Sequence, residues 1–112
     1  MYKRQVFQVG DNGGWPTGRG DNHLPGQRAP LWHSGEAHVA PTGVVVPRTA
    51  LNETVNGKIV WCNYNDAKAW WLDPAQPNPR PAELWPTCRF DAKVDAQGRL
   101  VFASVGVLWF VP

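Results

Sequence analysis

CRFDAKVDAQGRLVFASVGVLWFV, residues 88–111, is the stretch of sequence that decides the fold class. Apolar and polar positions alternate along its first part, with Cys88, Phe90, Ala92 and Val94 apolar and Arg89, Asp91 and Lys93 polar. Residues 95–98, Asp-Ala-Gln-Gly, are typical of a turn, and residues 100–105 form a second apolar run. Gly106 is expected at a bulge before residues 107–111. A period of two on both sides of a turn predicts an antiparallel β-hairpin.

Further strands are indicated upstream of this hairpin. Residues 59–64 alternate cleanly, which places Ile59, Trp61 and Asn63 on one face of a strand. Asn56-Gly57 is a pair favoured in type I′ hairpin turns. Residues 44–46 run into Pro47, so we expect an edge strand or a strand end there. Residues 65–67 are expected to turn into another strand over residues 69–72.

Two long segments carry the glycines and prolines of the chain. Residues 10–41 show no period and are full of turn residues, so we expect a long functional loop or part of a larger structure. Residues 73–86 contain five prolines, which exclude a helix or a central strand and favour extended backbone. We therefore predict an all-β fold: a small antiparallel β-sandwich or open barrel with long Gly/Pro-rich loops.

Composition narrows the classes of function. The 112 residues suffice for one domain, and they include 11 Gly, 11 Pro and 7 Trp. The formal net charge is +2 and the basic residues are scattered, so the charge pattern of a nucleic-acid binder is missing. The sequence holds no apolar run near the ~20 residues that span a bilayer. We accordingly expect neither nucleic acid nor a membrane span.

Tryptophan is the most informative residue type here. Trp61 and Trp109 lie within strand patterns and are expected in the core. Trp70 and Trp71 are adjacent, so in a strand they face opposite sides and one is expected to be exposed. Exposed indoles beside amides and carboxylates suit the stacking of sugar rings, whereas the alternative is that these indoles pack loops onto the sheet. The candidate ligand-binding residues are Trp15, Trp32, Trp70, Trp71, Trp85, Asn63, Asn65 and Asp66.

Two smaller groups of residues suggest a metal site and a disulfide. His33, Glu36 and His38 could together bind a transition metal with an open position, although ordinary loop histidines are the simpler interpretation. Their spacing is loosely similar to the metal motif of cupins, but the two histidines are too far apart for it. Cys62 and Cys88 could form a disulfide between strands in an oxidising compartment, or remain a buried free pair. No cofactor is expected beyond that candidate metal.

The sequence carries no pattern typical of catalysis. Neither serine lies in a nucleophile elbow, and no phosphate-binding glycine motif has the required strand-loop-helix context. We therefore predict a non-catalytic recognition module, of the phage virion-surface or tail-fibre type or a carbohydrate-binding β domain. Its partner would be a glycan or cell-surface receptor, its location extracellular or on a virion, and homo-oligomers are open. The alternatives are a fragment of a secreted metal-dependent or glycoside-acting enzyme and a structural assembly subunit.

The first five residues, Met1–Gln5, resemble the translation of a transposon end used to build sequencing libraries. That resemblance implies assembled environmental reads, so we expect residues 1–5 to be a scar that is excluded from fold reasoning. Residues 6–112 then form a single β-rich domain, as the C-terminal part of a longer protein. The alternative is a native basic start.

Overall fold

The structure, a computed structural model, describes residues 5–6, 25–35 and 39–112. Of these residues 44% lie in strands and 3% in helix, which confirms the all-β prediction. The chain divides into two compact units, Met1–His38 and Val39–Pro112. In the first unit, β1 (Gln5–Val6) pairs antiparallel with β2 (Trp32–His33). Most of the predicted loop over residues 10–41 lies outside the described residues.

The second unit is sandwich-like, with two antiparallel sheets packed together. The four strands of the first sheet are hydrogen-bonded in chain order: β3 (Pro41–Val45), β4 (Ile59–Asn63), β5 (Lys68–Leu72) and β6 (Ala82–Thr87). The three strands of the second sheet are β7 (Asp91–Val94), β8 (Leu100–Ser104) and β9 (Val107–Val111). A short 3-10 helix, Glu53–Val55, lies between β3 and β4. The edge position predicted for the residues before Pro47 is confirmed, since β3 ends one sheet.

Alternation along the strands builds the core between the two sheets. Val60 and Cys62 of β4 and Ala69 of β5 are fully buried, and so are Ala92 of β7 and Phe102 of β8. These residues sit at every second position, so each strand gives one face to the shared interior. The other face of the first sheet carries Trp61, Asn63, Trp70 and Leu72. Trp61 is therefore buried as predicted, but on the face opposite this core.

A disulfide joins Cys62 to Cys88, with Cα atoms 5.2 Å apart. Cys62 belongs to β4, and Cys88 follows directly after β6, where the chain passes to the second sheet. Both residues are fully buried within the core. The bond therefore ties the middle of the first sheet to the crossover that begins the second.

The predicted C-terminal hairpin is present, and its turn is held by one side chain. Oδ1 of Asp95 accepts hydrogen bonds from the backbone N–H groups of Gln97 and Arg99, each at 2.9 Å. Oδ2 of Asp95 accepts from Nε of Arg99 at 2.7 Å. An aspartate at the start of a turn commonly satisfies later backbone donors in this way. The side chain thus fixes the register in which Val94 pairs with Leu100.

Two details of this region differ from the prediction. The alternation does not extend back to Phe90, because β7 begins at Asp91. The Phe90 ring is half-exposed and packs beside the Tyr64 ring, with the ring centroids 6.1 Å apart. Gly106 does not mark a bulge. Ser104 pairs with Val107, so residues 105–106 form a tight turn between β8 and β9.

The turn at Asn56-Gly57 also differs from the type I′ prediction. Asn56 has φ −66° and ψ 129°, and Gly57 has φ 78°, which fits the central positions of a type II turn. The N–H of Lys58 closes the turn on the carbonyl of Val55 at 3.0 Å. The turn enters β4 from the 3-10 helix and does not join two paired strands, so the hairpin preference for type I′ does not apply.

Candidate functional site

A groove of about 430 Å³ opens between the free edges of the two sheets. β6 is the last strand of the first sheet and β9 is the last strand of the second. The residues that line the groove are Lys68, Glu83, Leu84, Trp85, Pro86, Thr87 and Trp109. We call this surface the Trp85 groove. Ligand pockets usually measure about 300–1,000 Å³, so its size suits a small ligand or part of a longer one.

A break in strand pairing places Trp85 on the surface. Ala69 of β5 pairs with Leu84, but the adjacent Lys68 pairs with Thr87, so Trp85 and Pro86 have no opposite residues. Two extra residues on one strand make a bulge, which is where an edge strand tolerates proline. The Trp85 side chain leaves the sheet plane and is 73% exposed. The exposure therefore follows from the local strand register.

Trp109 forms the other aromatic wall of the groove. Trp109 lies in β9 directly opposite Phe102 of β8. Because paired residues share a face, its ring lies on the core side of the second sheet. Its ring centroid is 5.4 Å from that of Trp85, with the ring planes at 60°, an edge-to-face arrangement that aromatic pairs prefer. Nε1 of Trp109 is buried and finds no acceptor among the described residues. The rings thus support each other while Trp85 keeps one face free.

An ion pair forms the polar side of the groove. Nζ of Lys68 lies 2.7 Å from Oε1 of Glu83, and both side chains are about half exposed. The hydrogen bond to Glu83 and its negative charge raise the pKa of Lys68 above 10.5. An exposed ion pair contributes little to stability, so the relevance of this pair lies in the polar groups that it presents to a ligand. It offers an ammonium donor and a carboxylate acceptor side by side.

Three predicted site residues meet next to the groove. Oδ2 of Asp66 accepts hydrogen bonds from Nδ2 of Asn63 at 3.1 Å and from Nε1 of Trp70 at 3.0 Å. Trp70 pairs directly across from Glu83 on β6, and Nζ of Lys68 lies 5.8 Å from the Trp70 ring centroid. Asn63, Asp66 and Trp70 therefore form one cluster that adjoins the ion pair.

The other predicted residues lie elsewhere. Trp71 is half-buried and packs against the core, on the face opposite Trp70 as adjacency in a strand requires. Trp70 is half-buried as well, so the expectation that one of the two indoles would be exposed is wrong. Asn65 lies in the exposed turn before β5, where its N–H donates to the carbonyl of Val39 at 3.5 Å. Trp32 belongs to β2 in the first unit. Trp15 lies outside the described residues.

The candidate metal group is described only in part. Nδ1 of His33 accepts a hydrogen bond from the N–H of Gly35 at 3.1 Å. Glu36 and His38 lie outside the described residues, so the group stays a prediction. Within the described part of the chain, three or more His, Cys, Asp or Glu residues are nowhere grouped to hold a metal ion.

Sequence reasoning missed several residues of the groove. Lys68, Glu83 and Thr87 come together only through the register of β5 and β6, which the prolines of residues 73–86 obscured. Trp109 was expected in the core, and it does pack there, but it also reaches the groove. Pro86 within an otherwise strand-like run was the available signal, because proline in a strand indicates an edge or a bulge.

Comparisons with protein-family models, with curated proteins and with solved structures found no match for this chain. No helix within residues 5–6, 25–35 and 39–112 has the length and apolar character needed to cross a membrane.

Proposed function

We propose that this chain is a non-catalytic recognition module that binds a glycan in the Trp85 groove. The observation that carries the proposal is the Trp85 side chain, which is 73% exposed on a surface that also holds ligand-sized space. Leaving so large an apolar side chain in water has a free-energy cost that covering it would recover. A sugar ring covers an indole with its C–H face.

Polar groups stand where the hydroxyls of such a sugar would need them. Lys68, Glu83 and Thr87 line the same groove as Trp85. The ammonium of Lys68 donates, the carboxylate of Glu83 accepts, and the hydroxyl of Thr87 does both. An aromatic platform with a few fixed polar groups is the usual composition of a small-ligand site.

Recognition is favoured over hydrolysis by the carboxylates available. Glycoside hydrolases generally use two carboxylates that flank the scissile bond. Among the described residues, Glu83 supplies the carboxylate of this groove, and it is already paired with Lys68 at 2.7 Å. The arrangement supports binding of an intact glycan.

The Cys62–Cys88 disulfide supports an extracellular or virion-surface location for the module. Disulfides persist in oxidising compartments and are rare where glutathione keeps thiols reduced. A receptor-binding domain of a phage tail fibre and a secreted carbohydrate-binding module both fit this setting. The glycan would then belong to a cell surface or to extracellular polysaccharide.

A glycan array probed with wild type and with Trp85→Ala tests the proposal. We expect wild type to bind a defined set of glycans and Trp85→Ala to lose at least about tenfold in affinity, because one stacked aromatic contributes over 1 kcal/mol. Phe90→Ala is the matched control, since Phe90 is 44% exposed and does not line the groove. Absence of binding by folded wild type, or equal binding by Trp85→Ala, contradicts the proposal.

Assembly into a homo-oligomer is a second candidate, carried by a different observation. On the outer face of the second sheet, Leu108 is 59% exposed and Phe110 is 50% exposed, on an edge strand. A second copy that pairs with β9 would cover both side chains and the open strand edge. Light scattering across a range of concentrations tests this candidate. A strict monomer at all of them rules it out.

A further inference from the structure

We infer that the ligand of the Trp85 groove is an uncharged glycan, selected by the Lys68–Glu83 pair against both anionic and cationic sugars. This inference rests on the proposed function.

The charge balance of the groove is the first step. Its lining holds one cation, Lys68, and one anion, Glu83, and the other lining residues are neutral. Asp66, outside the lining, adds a second carboxylate near Lys68, and this carboxylate already accepts hydrogen bonds from Asn63 and Trp70. The charged atoms of Lys68 and Glu83 lie 2.7 Å apart, so their fields largely cancel at the distance of a bound sugar. A uronate is attracted to Lys68 and repelled almost as strongly by Glu83. A protonated amino sugar is attracted to Glu83 and repelled almost as strongly by Lys68. A charged group on the ligand therefore gains little electrostatic energy in the groove, yet binding still removes part of its hydration shell.

Both members of the ion pair keep hydrogen-bonding capacity for a ligand. An ammonium has three donors, and the bond to Oε1 of Glu83 uses one of those on Lys68. The carboxylate of Glu83 retains lone pairs on both oxygens. Two neighbouring hydroxyls of a sugar can accept from Lys68 and donate to Glu83 without breaking the ion pair. A neutral diol is thus the ligand that both partners can bind together.

The position of the pair is the third step. Trp70 lies opposite Glu83 on the adjacent strand, with Nζ of Lys68 5.8 Å from its ring, and Trp85 follows two residues after Glu83. The pair therefore lies beside Trp70 and lines the same groove as Trp85. A sugar stacked on Trp85 lies in the groove that Lys68 and Glu83 also line, so its hydroxyls can reach both charged groups.

Two single-charge variants and one double variant with the charges exchanged test the inference. The probe is an array that carries neutral hexose and N-acetylhexosamine oligomers, uronate and sulfated oligomers, and glucosamine oligomers. Wild type should prefer neutral oligomers. Glu83→Gln should shift the preference toward uronates by about 2- to 5-fold, and Lys68→Met should shift it toward glucosamine oligomers by a similar factor. The double variant Lys68→Glu/Glu83→Lys should restore the preference for neutral oligomers, because it rebuilds a balanced pair.

Matched controls separate a local effect from a change in net charge. Lys93→Met and Glu53→Gln make the same charge changes at exposed positions outside the groove, and neither should alter the preference. Wild-type preference for uronate or glucosamine oligomers, or unchanged preference in both single variants, overturns the inference and leaves glycan binding standing. No binding of any oligomer by wild type instead overturns the proposed function itself.

Discussion

Trp85 and Trp109 meet edge to face across the gap between the two sheets, with ring centroids 5.4 Å apart. One ring comes from a bulge in β6 and the other from the regular strand β9. The regular strand holds its indole partly in the core, and that indole supports the exposed one. Contact with a ring that is packed against the core restricts the exposed Trp85 ring before a ligand binds, which favours affinity.

The unpartnered N–H of Trp109 gives a prediction about stability. Trp109→Phe should cost clearly less free energy of unfolding than Trp109→Ala, because the phenyl ring still fills part of the space and the deleted N–H has no acceptor among the described residues. Trp109→Ala should cost about 3–5 kcal/mol through the cavity it leaves. Urea denaturation of both variants provides the measurement. A Phe variant as unstable as the Ala variant would contradict this order.

At Gly43 the backbones of β3 and β7 approach each other closely. A Cβ at that position of β3 would lie 2.7 Å from Cα of Asp91 and 3.0 Å from the carbonyl oxygen of Phe90. Gly43→Ala should therefore destabilise the fold by about 1–3 kcal/mol, since backbone atoms must move apart. Thermal unfolding measures the effect. Val44→Ala, at an exposed neighbour, is the control and should stay within about 0.5 kcal/mol of wild type.

Asn56 holds the loop between β3 and β4 by a two-way bond to one backbone unit. Its Oδ1 accepts from the N–H of Ala50 at 2.9 Å, and its Nδ2 donates to the carbonyl of Ala50 at 3.0 Å. Because Ala50 is buried, Asn56→Ala should leave both of its backbone groups unsatisfied and cost about 1–3 kcal/mol.

Asn52→Ala is the matched comparison for that loop. It removes a single exposed hydrogen bond, from the N–H of Thr54 at 3.2 Å, and should cost less. Chemical denaturation of both variants measures the two losses in the free energy of unfolding. A cost for Asn52→Ala that equals or exceeds that for Asn56→Ala would contradict the importance given to the paired bond.

The disulfide should contribute a large share of the stability of the second unit. Cys62→Ala/Cys88→Ala, or reduction of wild type under denaturing conditions, is expected to lower the free energy of unfolding by about 2–4 kcal/mol. Guanidinium titration with and without reductant measures it. The double variant serves as its own control, because reductant should leave its unfolding midpoint unchanged.

Asp95 should make stability depend on pH on the acid side. Desolvation pushes the pKa of this carboxyl upward, but hydrogen bonds from Arg99 and Gln97 outweigh it and hold the pKa below 3.8. A carboxyl with a lowered folded-state pKa stabilises the fold above its unfolded pKa and loses that contribution as the pH falls through the folded value. The gap in stability between wild type and Asp95→Asn should therefore narrow from about pH 5 to about pH 2.

Gln97→Ala provides the control for that titration. It changes the same turn without removing an ionisable group, so its difference from wild type should stay constant over the same range. Unfolding midpoints in urea at several pH values provide the data. A constant gap for Asp95→Asn would show that the carboxylate does not stabilise the turn through its charge.

Alternation predicted the sheets well because burial acts on every second residue. The strands around Trp61 and Ala92 follow that rule, and the turn at Asp95 carries its own local hydrogen-bonding signal. Phe90 and Gly57 departed from prediction because strand ends and turn types depend on which strands pair. Pairing is a long-range property that no local window of sequence contains.

The site was predicted less completely, for a related reason. Trp85 and the Asn63–Asp66–Trp70 cluster follow from residue type and neighbouring residues. Lys68 and Glu83 are 15 positions apart and meet only because β5 and β6 pair in one register. A two-residue bulge determines that register, so a search for nearby polar residues could not find the ion pair.

The bond between Cys62 and Cys88 closes a covalent ring that contains β5 and β6. Lys68, Trp70, Glu83 and Trp85 all belong to this ring, while Trp109 lies outside it. Insertions or exchanges within the ring leave its two ends clamped together, so the remaining strands keep their path. The exposed positions of residues 63–87 can therefore be varied to change specificity, provided that the buried Ala69 and Leu72, on which the sheet depends, are kept.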